Sequence, residues 1–159
     1  MSNNLFPDVL VVGAGPTGLL TACELARRGL AVRLVDQATT PFHGSRGKGL
    51  QPRTLEVLDN VGVADRLIAL GRFRLPLRFY DAAGGHQDLD PREGQEPTPD
   101  NPYARSLLLP QWQVEAGLRA CLAEHGVAVE WSRGVASLAQ EPEGVRVTFG
   151  DNSVVTARY

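Results

Sequence analysis

The sequence has little cysteine, little net charge and no long apolar run, and each shortage removes a class of protein. Cys23 and Cys121 are the two cysteines in 159 residues, far apart and outside any CxxC pattern. They read as reduced, buried thiols rather than a disulfide or a metal site. Lysine and arginine number 16 against 18 aspartates and glutamates, a formal net charge of −2. That balance lacks the basic excess a nucleic-acid partner demands. No apolar stretch is long enough to span a bilayer, so no membrane partner is expected. Residues 1–10 (MSNNLFPDVL) lack a basic segment followed by a long apolar one. No signal peptide is therefore read there, and a cytoplasmic location is expected. There is no internal repeat, no cluster spaced to ligate a metal, and no convincing nucleophile or acid–base pair, so the catalytic residues stay unknown.

What is present suits one ordinary α/β domain. Apolar residues make up 43% and charged residues 21%, and the chain is long enough to bury a core. Asp8 to Val12 (DVLVV) is a short β-branched run that reads as a buried parallel strand. Pro16 to Arg28 reads as a helix with Leu19, Cys23 and Ala26 on one face, stopped by Gly29. Ala31 to Val35 is a second strand, with Asp36 at its end. Residues 37–52 read as one loop, long enough to suggest a functional surface. Helices are expected over Arg53 to Val61, with Leu55 and Leu58 inward, and over Val63 to Leu70. Leu77 to Tyr80 is a strand before an Ala-Ala-Gly-Gly turn, and residues 91–102 are a proline-rich exposed loop. Ser106 to Leu109 is a strand; Gln111 to His125 is a helix with Val114, Leu118, Cys121 and Leu122 on one face. Strands follow at Ala128 to Trp131, Val135 to Leu138, Val145 to Phe149 and Val154 to Arg158. The last three suggest an antiparallel β-meander attached to a parallel sheet.

The sharpest motif is Gly13-Ala14-Gly15-Pro16-Thr17-Gly18, a GxGxxG between a strand and a helix, with Asp36 eighteen residues after Gly18. That context is what a dinucleotide fingerprint requires. Gly13 permits a tight turn, Gly15 lets a pyrophosphate approach the backbone, and Gly18 lets helix and strand pack closely. The helix N-terminus offers unpaired N–H groups to phosphate. Asp36 can accept from both ribose hydroxyls and would repel a 2′-phosphate. The motif does not separate FAD from NAD.

Ser45-Arg46-Gly47-Lys48-Gly49-Leu50-Gln51-Pro52-Arg53-Thr54-Leu55-Glu56-Val57-Leu58, followed by Gly62-Val63, resembles the class A flavoprotein monooxygenases. These are the aromatic hydroxylases of the para-hydroxybenzoate hydroxylase type, and the phenol, polyketide and rifampicin hydroxylases are the most similar subgroup. Leu109-Pro110-Gln111 before a helix resembles the same subgroup. The resemblance implies a Rossmann-like FAD-binding domain with a parallel sheet plus an antiparallel β-meander, incomplete at its C-terminus. Residues 1–159 would be the N-terminal portion, with the substrate domain absent. It implies that Gly13, Gly15 and Gly18 hold the FAD pyrophosphate, with Pro16 in the same turn also counted as cofactor-binding. Asp36 would take the adenosine ribose, where the family more often has glutamate. Arg46 would reach the phosphates or ribityl chain, Gln111 the ribityl hydroxyls, and Arg105 is a less certain neighbour. The implied reaction uses NAD(P)H to reduce FAD, and O₂ to form a flavin C4a-hydroperoxide that hydroxylates a small aromatic or polyketide-like substrate.

Blander readings stand beside these. Lys48 and Arg53 read as scaffold or surface residues; Arg53, in a first helical turn, calls for a local anion or carboxylate. His43, His86 and His125 read as exposed, and Trp112 and Trp131 as packing residues. The alternatives for the whole are a stand-alone FAD- or NAD-binding module without turnover, or another flavin oxidoreductase. Substrate, NADH against NADPH, and oligomeric state are not legible.

Overall fold

The computed structural model describes residues 6–44, 46–73, 77–90 and 96–159. Ser45 and residues 91–95 of the proline-rich loop lie outside the described residues, as do residues 1–5 and 74–76.

Strand β1 (Val9–Val12) consists of four apolar, mostly β-branched residues, which suit a pleated, packed surface. It pairs in parallel with β2 (Val32–Val35), Val9 opposite Val32 and Val12 opposite Val35. Helix α1 (Pro16–Ala26) joins them and buries Leu19, Ala22 and Cys23, a spacing of three and four that forms one stripe. The third parallel strand is β8 (Val129–Glu130), beside β2. Arg33 on β2 holds Glu130 on β8 through two hydrogen bonds of 2.7 Å. This guanidinium keeps the Glu130 carboxyl below its ordinary range.

Helix α4 (Gln111–Glu124) packs along α1, and the Cys23 thiol meets the Leu118 carbonyl at 3.5 Å. Burial pushes that thiol up to about 12, so it is no nucleophile at neutral pH. Helices α2 (Pro52–Asn60) and α3 (Ala64–Leu70) contribute Leu55, Leu58 and Leu67 to the same core. Strands β9 (Val135–Glu141), β10 (Gly144–Phe149) and β11 (Val154–Ala157) form the expected antiparallel meander. Val147, Phe149 and Val155 pack with Val35 in a second cluster. The chain then runs beside β1 in the parallel sense: Tyr159 N–H donates to Asp8 O at 3.0 Å, and its carbonyl accepts from Leu10 N at 2.9 Å. The meander is thereby fastened to the parallel sheet.

Three short strands depart from the expectations. The supposed single loop over 37–52 contains β3 (Gly49–Leu50) and the first residue of α2. β3 and β4 (Arg72–Phe73) both pair with β7 (Leu107–Leu108). Two-residue strands have no periodicity of their own; their pairing with a distant segment creates them. β6 (His86–Leu89) pairs with β5 (Leu77–Tyr80) across a turn where Asp81 Oδ1 accepts from the Ala83 and Gly85 N–H groups, each at 2.8 Å. Its residues are all exposed, so it lacks an apolar alternation. No helix of the described residues is long and apolar enough to cross a membrane.

The tightest packing lies where β1 meets α1. A Cβ on Gly18 would sit 1.9 Å from the Gly13 carbonyl oxygen, and Gly13 itself has φ +100°. Neither position accepts a side chain without moving backbone. Gly18→Ala is expected to lower stability by about 1–3 kcal/mol, in the range of overpacked core positions, read as a lower urea midpoint. An unchanged midpoint would refute this packing.

Candidate functional site: a track at the ends of the parallel strands

The turn Gly13–Gly18 closes the end of β1 and starts α1. Gly15 is the N-cap, no side chain caps the helix, and Pro16 opens its first turn. The N–H groups of that turn therefore have no side-chain acceptor from the cap, which suits an anion. Asp36, at the end of β2, reaches across to the same turn. Its Oδ2 accepts from Ala14 N at 2.6 Å and its Oδ1 from Ala38 N at 2.8 Å. Asp36 is thus a brace for the glycine turn as well as a ligand candidate, and each oxygen keeps a second lone pair for a hydroxyl.

A cavity of about 340 Å³ brings four of the expected residues together: Gly15, Asp36, Arg46 and Gln111 line it, with Glu115 and Trp131. A second, of about 240 Å³, shares Asp36 and Gln37 with the first and continues to Arg133 and Val135. A third, of about 120 Å³, shares Gln111 and continues past Pro16, Gly49 and Leu109. The three form one elongated track over the carboxyl ends of β1 and β2, where open α/β sheets take their ligands. A Cβ built on Gly15 meets no heavy atom within 4 Å. The protein's own packing does not require glycine there, so the open space on the track side is a cradle that a side chain would fill. A phosphate-bearing dinucleotide fits this set of donors.

Two contacts place Arg46 opposite Gln111. The loop ends at β3, where Leu109 N–H donates to Lys48 O at 3.0 Å, so the loop is tied to the strand that leads into α4. His43 also stacks on Trp112, with ring centroids 4.9 Å apart and planes 25° apart. His43 is exposed as expected, but Trp112 is more than a packing residue: it anchors this loop. Arg46 lies over the Phe42 ring, 5.3 Å from its centroid. Trp131 packs against the main core and also walls the track. Arg53 finds the carboxylate it called for in Glu56, at 2.5 Å, and does not line the track. Arg105 lies elsewhere, 3.8 Å from Glu96, in a cavity with Phe73 and Tyr103. Among the described residues, no three His, Cys, Asp or Glu side chains converge to hold a metal.

Sequence reasoning missed Gln37, Glu115 and Arg133. Glu115 carried a signal, because it is a charge among the apolar residues of α4. Arg133 carried none: its position depends on the meander, where it bonds Asp151 at 2.6 Å and covers the Phe149 ring at 4.4 Å.

A family model described as an FAD binding domain matches residues 7–159, and the chain belongs to that family. A flavin-dependent monooxygenase of Mycobacteroides abscessus is 41% identical over 146 residues, covering 87% of this chain and 30% of that protein. The 6-methylpretetramide 4-monooxygenase of Streptomyces rimosus is 42% identical over 147 residues, covering 89% of this chain and 24% of that protein. A solved ternary complex of aklavinone-11 hydroxylase with FAD and aklavinone is 30% identical, with a TM-score of 0.78 over 96% of this chain and 32% of that one. The chain spans less than a third of the length of these relatives.

Asp36→Asn tests the brace. An amide oxygen accepts one of the two N–H bonds, and its NH₂ then faces the other donor. A loss of about 1–3 kcal/mol in unfolding free energy is expected, with faster hydrogen exchange at Ala14 or Ala38. Parent-like stability and exchange would refute it.

Proposed function

We propose that this chain is the N-terminal, FAD-binding portion of a longer NAD(P)H-dependent monooxygenase that hydroxylates an aromatic or polyketide-like substrate, with its substrate domain outside these 159 residues. The observation that carries the reading is the convergence of Gly15, Asp36, Arg46 and Gln111 on one cavity. The family and the monooxygenase names of the relatives support it. When bound, FAD would supply the redox chemistry, coupling oxidation of NAD(P)H to insertion of one oxygen atom of O₂ into the substrate and release of the other as water.

The residues of this chain bind and orient. The glycine turn and the start of α1 receive the pyrophosphate through backbone N–H groups. Asp36 accepts from the adenosine ribose hydroxyls, and the cavity bounded by Gln37, Arg133 and Val135 takes the adenine. Arg46 supplies a fixed cation to the phosphates. Gln111 meets the ribityl chain, and the cavity beyond it, walled by Pro16, Gly49 and Leu109, leads toward the flavin ring.

The test is FAD titration of the natural polypeptide and its Gly15→Val variant, with NAD(P)H oxidation followed in the presence of phenols or polycyclic aromatics. The parent is expected to bind FAD and to consume NAD(P)H faster with an aromatic substrate. The variant is expected to bind FAD at least about tenfold more weakly while the apoprotein unfolds at nearly the same midpoint, because the added side chain enters open space. A parent that binds no flavin would overturn the reading.

A further inference from the structure

Arg133, in the turn between β8 and β9, is held on several sides at once. Its guanidinium lies over the Phe149 ring, 4.4 Å from the centroid, and Phe149 beneath it is 1% exposed. Nη1 donates to Asp151 Oδ2 at 2.6 Å and to Ser153 Oγ at 3.1 Å, and Nε lies 3.9 Å from Glu130 Oε2. The backbone N–H of Arg133 donates to the Asp36 carbonyl at 2.8 Å. Anchored in this way, Arg133 lines the cavity of about 240 Å³ at the Asp36 end of the track, together with Val12, Gln37 and Val135. Charge is not what it offers there. Arg133 and Arg33 stand among three carboxylates, Asp36, Glu130 and Asp151. A further anion gains little in such surroundings, whereas a guanidinium plane still stacks on an aromatic face.

We propose that Arg133 is the base-recognition residue of the track: the plane of its guanidinium, rather than its charge, receives the adenine ring. This rests on the reading that the track takes FAD, with its adenine in this cavity. A free arginine side chain gives up rotamer freedom when it stacks on a ligand. Here Asp151, Ser153 and Phe149 have already fixed it, so the base does not bear that cost. Val12 and Val135 add apolar wall to the same cavity, which suits a flat heterocycle. A phosphate in its place would face the Asp36 carboxylate. The meander thereby acts on the cofactor through one side chain, since Phe149, Asp151 and Ser153 all lie on β10 or between β10 and β11. A platform of this kind favours the larger ring system, so the site selects purine over pyrimidine nucleotides.

Arg133→Lys keeps the charge and a partner for Asp151 but has no plane to offer. The experiment titrates the flavin-free natural polypeptide and its R133K variant with FAD, ADP and UDP. In the parent, ADP is expected to bind at least about fivefold more tightly than UDP, whose single ring covers less of the guanidinium. In R133K, FAD and ADP are each expected to weaken about tenfold, and the preference for ADP over UDP to fall below about twofold. A merely structural arginine would weaken both nucleotides alike and leave the preference intact, and that result overturns the proposal. Parent-like binding by R133K overturns it too, because the charge alone would then suffice. If R133K folds poorly, the parent's own preference carries the test, and equal binding of ADP and UDP overturns the proposal. A natural polypeptide that binds no FAD overturns the functional reading and this proposal with it. One that binds FAD but does not bind ADP, or does not distinguish ADP from UDP, overturns this proposal alone.

Discussion

A Cβ on Gly18 would lie 1.9 Å from the carbonyl oxygen of Gly13, and the position of every cofactor candidate depends on that approach. It seats the first turn of α1 directly on the end of β1. The helix N-terminus therefore opens onto the same edge of the sheet where β2 delivers Asp36. Asp36 completes the arrangement from the other side by accepting the Ala14 N–H at 2.6 Å. The turn is thus held by packing beneath and by a carboxylate beside it. Gly15 stands between these two constraints with open space in front of it. A rigid, concave, donor-rich surface of this kind binds a phosphate without having to reorganise.

The opposite wall of the track is assembled from distant pieces of chain. The loop after β2 carries Arg46, and the pairing of β3 with β7 returns it to the strand before α4. The His43–Trp112 stack fastens the same loop one residue beyond Gln111. Gln111 itself is fixed by opening α4, whose apolar face packs on α1 through Val114, Leu118, Cys121 and Leu122. A single core therefore positions both walls. Substitutions in that core are expected to disturb cofactor binding as well as stability.

Local patterns made much of this legible. The β-branched run of β1, the glycine spacing and Asp36 point to a strand–turn–helix–strand opening through physics acting within a few residues. The inward faces of α2 and α4 follow from the helical period, and the meander from its turns. Arg46 and Gln111 entered only through the resemblance, because nothing local distinguishes either from a surface residue. β3 and β4 were illegible since their only basis is pairing with β7, more than thirty residues away in sequence. β6 has no apolar alternation to betray it. Glu115 was passed over because α4 was read from its apolar residues alone, although the charge stands among them in the sequence.

On the proposed function, one track from Arg133 past the glycine turn to Leu109 would take an extended FAD. A crystal structure of the natural polypeptide with FAD tests it most directly. The pyrophosphate is expected against the first turn of α1 beside Gly15, the adenosine ribose on Asp36 and the ribityl chain at Gln111. A cofactor bound elsewhere, or one whose phosphates lie away from Gly15 and Arg46, would contradict it.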